Sequence, residues 1–145
     1  MRIFVYGTLK EGFPNAYLNL GQRVPGLFRT VQRFPFYVVR LPLENRAPWL
    51  IHQPGLGHHV IGQVFEVDEA NLEAIDRFEE VGQPTGYTRV PVMLQALADP
   101  VTQVQAFAYM KQPQQLTADI PREGPFEEYT AELAAGYWIE QPTAQ

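Results

Sequence analysis

The chain has 145 residues, 46% hydrophobic and 19% charged, a balance that excludes intrinsic disorder. Eleven Gly and 13 Pro exclude a simple helical bundle and predict many turns and short elements. The net charge of −5 is local: six acids and one base lie from Gln112 onward, while the first 111 residues carry ten of each. That acidic end repels phosphate backbones, so no nucleic-acid partner is expected.

Ile3 to Tyr6 is an apolar run that stops at Gly7, which predicts a buried strand entering a turn. Gly7 to Gly12 reads as a loop, and Pro14 opens a short helix through Leu20, ended by Gly21. Phe36 to Val39 is a strand, and Pro48 to Ile51 is another with Pro48 at its start. Gln53 to Gly57 has turn chemistry. Val60 to Val67 alternates as a long strand, with Gly62 marking a bulge or a close backbone approach. Asp68 then caps a helix from Glu69 to Glu80, with Glu69 in the first turn. Thr88 to Leu97 and Gln103 to Met110 form a hairpin turning at Asp99-Pro100. Pro125 to Ala135 reads as a short amphipathic helix stopped by Gly136. The pattern is α+β, with much of the sheet antiparallel or curled, and the length fits a single domain over residues 1–145.

No stretch approaches ~18 consecutive apolar residues, so no membrane partner is expected. Met1 to Tyr6 lacks the long apolar core of a secretory leader, and the expected location is cytoplasmic. The chain has neither cysteine nor serine, which excludes thiol and serine nucleophiles, disulfides and zinc–thiolate sites. His58 and His59 are adjacent and point opposite ways if extended, and no carboxylate stands at a ligand-like spacing. No metal is expected.

The helix after Asp68 carries the most informative pattern. With Leu72 as origin, Ile75 falls at about 300° and Phe78 at about 240°, so the apolar face centres at about 300°. Glu79 then lies about 40° from that centre and Glu80 about 140° away. Glu80 is a solvated helix-end acid. Burying the charge of Glu79 is costly and needs a reason. Either it bends out to water or pairs with Arg89 or Arg77, or it is a general base whose pKa is raised by desolvation. The pair is no glycosidase dyad, because adjacent helical side chains diverge by ~100°.

Tyr6-Gly7-Thr8-Leu9 leaves a strand through a glycine. Successive amides there can form an anion-binding nest, which would hold a carboxylate or an oxyanion. The alternative is a purely structural turn. The lysine-containing phosphate-loop pattern is absent.

Val5-Tyr6-Gly7-Thr8-Leu9-Lys10, with Gly12, Pro14 and Asn15, resembles the signature loop of the gamma-glutamyl cyclotransferase-like superfamily. Three further stretches extend the resemblance toward the gamma-glutamylamine cyclotransferases. They are Pro48-Trp49-Leu50-Ile51-His52 with Pro54-Gly55, Gly62 to Asp68, and Ile75-Asp76-Arg77-Phe78-Glu79 with Tyr87-Thr88-Arg89. The resemblance covers residues 3 to 110. It implies an α+β fold with a small, mostly antiparallel β-barrel flanked by helices. It also implies intramolecular aminolysis of a small-molecule γ-glutamyl amide, such as γ-glutamyl-ε-lysine, to 5-oxoproline and a free amine, with no cofactor. The family's catalytic glutamate falls on Glu79, and its substrate-binding loop falls on Tyr6, Gly7, Thr8 and Leu9. Tyr6 walls the pocket, donates a hydrogen bond, or is a core tyrosine.

Glu80 to Gly86 is longer than the family's usual connection and should border the site. Tyr129, Tyr137 and Trp138 read as packing residues, Asp76 as a surface or helix-pairing acid, and Arg89 as a partner of Glu79 or Glu80 or as a residue that closes the substrate pocket. Two other readings stay open: a cyclotransferase of the same fold acting on a different γ-glutamyl donor, and a non-catalytic small-molecule binding module.

Overall fold

In the computed structural model, which describes residues 1–140, the chain forms ten strands and two α-helices. In chain order the strands are β1 (Arg2–Val5), β2 (Gln22–Arg23), β3 (Phe28–Thr30), β4 (Phe36–Leu41), β5 (Glu44–Leu50) and β6 (Ile61–Glu66), then, after helix α1 (Glu69–Phe78), β7 (Thr88–Ala96), β8 (Gln103–Met110) and β9 (Arg122–Glu123). Helix α2 (Ala131–Ala134) and β10 (Trp138–Ile139) follow.

Strand β1 is paired on both edges. It runs antiparallel to β6, with Ile3 opposite Phe65, and parallel to β8, with Ile3 opposite Phe107. The remaining pairings, β8–β7, β7–β3 and β3–β6, are antiparallel and complete a closed five-stranded barrel. Closure removes the free edges that an open sheet would expose. The second sheet has the order β10-β5-β4-β9. The fold is α+β around a small, mostly antiparallel barrel, as the resemblance implied.

The period-two alternation of β1 divides the core. Phe4 points into the barrel with Val64, Leu94, Ala108 and Met110, and Phe36, Leu50 and Tyr129 close that cluster. Ile3 and Val5 point outward, where they meet Leu72 and Ile75 of α1 together with Phe65 and Tyr109. The apolar face of α1 therefore sets the rotation of the helix on the barrel wall. Gly62 is a close approach, not a bulge. Its pairing register is continuous, and a Cβ there would lie 2.8 Å from the Phe4 ring.

Several elements differ from expectation. The helix predicted from Pro14 to Leu20 is a single 3-10 turn, Ala16–Leu18, and Asn15 does not cap it. The Asn15 side chain is bonded to Thr8 and Tyr137 instead. The helix predicted from Pro125 shrinks to α2 behind the N-cap Thr130. The residues before it are committed to the sheets: Phe126 N–H donates to Phe36 O (2.8 Å), and Ile61 N–H donates to Glu127 O (2.7 Å). Pro48 lies inside β5 rather than at its start, opposite Val38. This is tolerated because the outer edge of β5 pairs with β10 only at Glu44 and Asn45. Among the described residues, no helix is long and apolar enough to cross a membrane.

The start of α1 was legible. The Asp68 carboxylate accepts from Asn71 N–H at 2.7 Å. Asp68→Ala should cost about 1 kcal/mol, read as a lowered urea midpoint with unchanged slope, whereas Asp68→Asn should stay near wild type.

Candidate active site

Glu79 is the first residue past α1. Its N–H still donates to Ile75 O (2.8 Å), so the helical register carries through it. The chain then breaks off: Glu80 adopts φ 56, and Val81 N–H returns to Asp76 O (3.0 Å). The side chain of Glu79 thus keeps the inward direction that the wheel assigned, although the helix ends at Phe78 rather than Glu80. Glu80 is exposed, as expected.

Glu79 lines one cleft with Tyr6, Gly7, Thr8 and Leu9, so all five predicted site residues meet. Glu44, Pro48, Phe78, Tyr87 and Tyr109 complete most of the wall. The loop of residues 80–86 does not line it. The residues that flank it, Glu79 and Tyr87, do, and Tyr87 N–H closes on Glu79 O at 2.9 Å. Lys111 fastens this loop by donating to Thr85 O (2.6 Å), and Gln115 does so by donating to Gly86 O (3.1 Å).

The expected partners of Glu79 are absent. Arg89 is bonded to Asp76 (Nη1–Oδ2 2.5 Å), and the Tyr109 hydroxyl donates to the other Asp76 oxygen (2.7 Å). Asp76 is therefore a structural anchor rather than a surface acid. Among the described residues Glu79 has no ion pair, and neither does Arg77. Lys111, 4% exposed, has its ammonium over the rings of Trp49 (4.7 Å) and Tyr87 (4.3 Å). Burial above all, then the charges of Glu44, Glu80 and Asp76, push the Glu79 carboxyl up to about 8 against the opposing pull of Lys111. Burial also raises Glu44, although the Tyr137 hydrogen bond and Lys111 oppose it. Tyr6 is raised by burial and by Glu79, so it stays a neutral phenol. Its hydroxyl donates to Tyr109 O at 2.5 Å, so Tyr6 walls the cleft while its proton is already used.

The loop after β1 is gripped from behind. Lys10 N–H donates to Gly7 O (3.1 Å), and Asn15 donates to Thr8 through its backbone N–H (to O, 2.9 Å) and through its side chain (to Oγ1, 2.9 Å). The amides of Gly7, Thr8 and Leu9 reach no protein acceptor among the described residues. The three residues line the cleft, and amides left without a protein acceptor beside it suit an anion. Gly7 must be glycine, because a Cβ would lie 2.5 Å from Pro48 Cγ.

Two residues of this environment were missed. The Tyr137 hydroxyl donates to Glu44 Oε2 (2.9 Å) and accepts from Asn15 Nδ2 (3.0 Å). Tyr137 is thus more than packing. Tyr129 is buried, with its hydroxyl donating to Arg46 O at 2.7 Å, and Trp138 is 50% exposed. Glu44 carried no sequence signal: it stands between the uncharged Leu43 and Asn45 at the start of β5, and its partner Tyr137 is distant in the chain. His59 lies by Thr30 O (3.0 Å), and no histidine lines the cleft.

A family model described as gamma-glutamyl cyclotransferase, AIG2-like, matches residues 3–131. The chain is 42% identical over 118 residues to the gamma-glutamylaminecyclotransferase of Rattus norvegicus, a match covering 74% of this chain and 75% of the relative. It is 37% identical over 123 residues to that of Homo sapiens, covering 75% and 77%. The crystal structure of an AIG2-like protein from Mus musculus aligns with a TM-score of 0.75 at 35% identity, over 99% of this chain and 97% of that one.

The Glu79 carboxyl should titrate near 8 in carbon-13 NMR, and Glu44→Gln should move that titration down. Titration in the ordinary range in both proteins would contradict the electrostatics described. A folded-state pKa above the unfolded value means that the fold binds this proton more tightly than the unfolded chain does. The contribution of Glu79 to stability is therefore lost as pH rises from about 4.3 toward 8. Glu79→Gln should raise the melting temperature at pH 9 more than at pH 5.

Proposed function

The chain belongs to the gamma-glutamyl cyclotransferase, AIG2-like family, as an enzyme of it, and from that premise we propose that it cyclises γ-glutamylamines such as γ-glutamyl-ε-lysine. The products are 5-oxoproline and the free amine. One observation carries the reading: Glu79, with no ion-pair partner among the described residues, shares a cleft with three unengaged amides.

The reaction makes and breaks one C–N bond each. At neutral pH the α-nitrogen of the substrate is an ammonium and cannot attack. The ionised Glu79 takes one of its protons. The freed amine attacks the γ-carbonyl carbon, closing a five-membered ring with a tetrahedral, oxygen-anionic centre. Glu79 returns its proton to the departing nitrogen, and the original amide C–N bond breaks. The ring nitrogen gives up a second proton, which the departing amine takes up as an ammonium. The ring nitrogen thus keeps one hydrogen, the two protons lost by the α-nitrogen both end on the amine, and no co-reactant is consumed.

Glu79 suits both halves of this cycle because its pKa is near 8. A carboxyl of ordinary pKa would be a weaker base toward the α-ammonium. The Gly7, Thr8 and Leu9 amides hold the substrate carboxylate or the developing oxyanion. Tyr6, Pro48 and Tyr87 confine the chain so that its two ends meet, and orientation is worth most in an intramolecular attack.

The test is turnover of γ-glutamyl-ε-lysine and other γ-glutamylamines, with 5-oxoproline followed by mass spectrometry. Glu79→Gln should lower kcat by about 10²- to 10⁴-fold, and Glu80→Gln should stay within about threefold of wild type. Absence of product from every γ-glutamylamine with folded wild-type protein would overturn the assignment. Full activity in Glu79→Gln would overturn the role of Glu79.

A further inference from the structure

The cleft contains a second carboxylate that the proton transfers above do not use. Glu44 stands at the start of β5, half-buried, on the same cleft as Glu79. One of its oxygens accepts from Tyr137, and the other accepts from no protein donor among the described residues. Lys111 does not neutralise it by contact, because that ammonium donates to Thr85 O and faces two aromatic rings. Two carboxylates therefore share the cleft with no cation bonded to either, a situation that a positively charged group of the ligand relieves.

The support of Glu44 indicates which group that is. Three hydrogen bonds run from the loop to this carboxylate: Asn15 Nδ2 to Thr8 Oγ1 (2.9 Å), Asn15 Nδ2 to the Tyr137 hydroxyl (3.0 Å), and that hydroxyl to Glu44 Oε2 (2.9 Å). Both side-chain hydrogens of Asn15 are spent here, and Asn15 is 4% exposed, so the line is fixed. It ties the free amides of the loop to the free oxygen of Glu44. The γ-glutamyl group carries a carboxylate and an ammonium on one carbon, and recognising both requires an anion site and a cation site held at fixed separation. A leaving amine, which varies from substrate to substrate, imposes no such constraint.

Resting on the cyclisation reading, we propose that Glu44 is the cation half of an α-amino-acid clamp. It binds the α-ammonium while the Gly7–Leu9 amides bind the α-carboxylate. The ammonium has three hydrogens, so it serves Glu44 and Glu79 together. Glu44 is a binding residue, and Tyr137 and Asn15 are positioning residues acting through it.

The test uses Glu79→Gln as an inert background and calorimetry as readout, beside turnover in the wild type. Adding Glu44→Gln should weaken γ-glutamyl-ε-lysine by about 10- to 100-fold and γ-glutamyl-n-butylamine, whose leaving group is neutral, by the same factor. It should change 5-oxoproline, which keeps the carboxylate and lacks the ammonium, by less than about twofold. Adding Tyr137→Phe instead, which keeps the Glu44 charge, should give the same ligand pattern at about three- to tenfold. A loss confined to the lysine conjugate would overturn the clamp by moving Glu44 to the leaving-amine side. Equal losses for all three ligands would overturn it as general damage, as would no loss at all. Wild-type turnover accompanied by any of these failures would leave the cyclisation standing. A wild type without turnover would overturn the cyclisation itself.

Discussion

The ion pair between Arg89 and Asp76 decides what Glu79 is. Asp76 in the last turn of α1 and Glu79 and Glu80 just past it put three acids at the helix end, and β7 offers one guanidinium. Asp76 takes it at 2.5 Å and receives the Tyr109 hydroxyl as well. Glu79, three residues on, is left in a cleft of aromatic and aliphatic walls with carboxylates for neighbours. An unpaired, desolvated carboxyl raises its pKa instead of keeping its charge. Had Arg89 bonded Glu79, the same residue would have been a locked ionic link with no proton to exchange.

The barrel and the cleft share parts. Tyr109 anchors Asp76 with its hydroxyl and holds the Tyr6 hydroxyl with its carbonyl. The parallel contact of β1 with β8 brings those two tyrosines together, and it is the one parallel pairing of the barrel. The far wall is β5 of the other sheet, which contributes Glu44 and Pro48 and is reached by the Tyr87 hydroxyl donating to Pro48 O at 3.0 Å. The cleft therefore lies where barrel, second sheet and helix end converge, and each layer supplies one kind of group. The barrel loop supplies amides, the helix end the base, and the second sheet a further carboxylate.

What the sequence revealed follows from the range of the forces involved. The inward turn of Glu79 was legible because Leu72, Ile75 and Phe78 encode it at helical spacing. The Asp68 cap and the turn after Tyr6 are equally local. Pairing choices were not legible. Arg89 read as a partner of Glu79 or Glu80, and only the tertiary fold places Asp76 against it. Asn15 looked like part of a helix start, but long-range bonds to Thr8 and Tyr137 drew its side chain away. The stretch before α2 looked helical, yet its backbone pairs with both sheets. Glu44 and Tyr137 are 93 positions apart, and no periodicity signals such a contact.

The most direct test is the pH dependence of kcat/KM for γ-glutamyl-ε-lysine. It reads the ionisation of the free enzyme together with that of the substrate ammonium, and Glu44→Gln separates the two because it acts on the enzyme alone. A Glu79 carboxyl raised by burial and by Glu44 gives a rising limb with an apparent pKa near 8 that moves to lower pH when Glu44→Gln removes the neighbouring charge. A limb in the ordinary carboxylate range, or a limb near 8 that Glu44→Gln leaves in place, would contradict it.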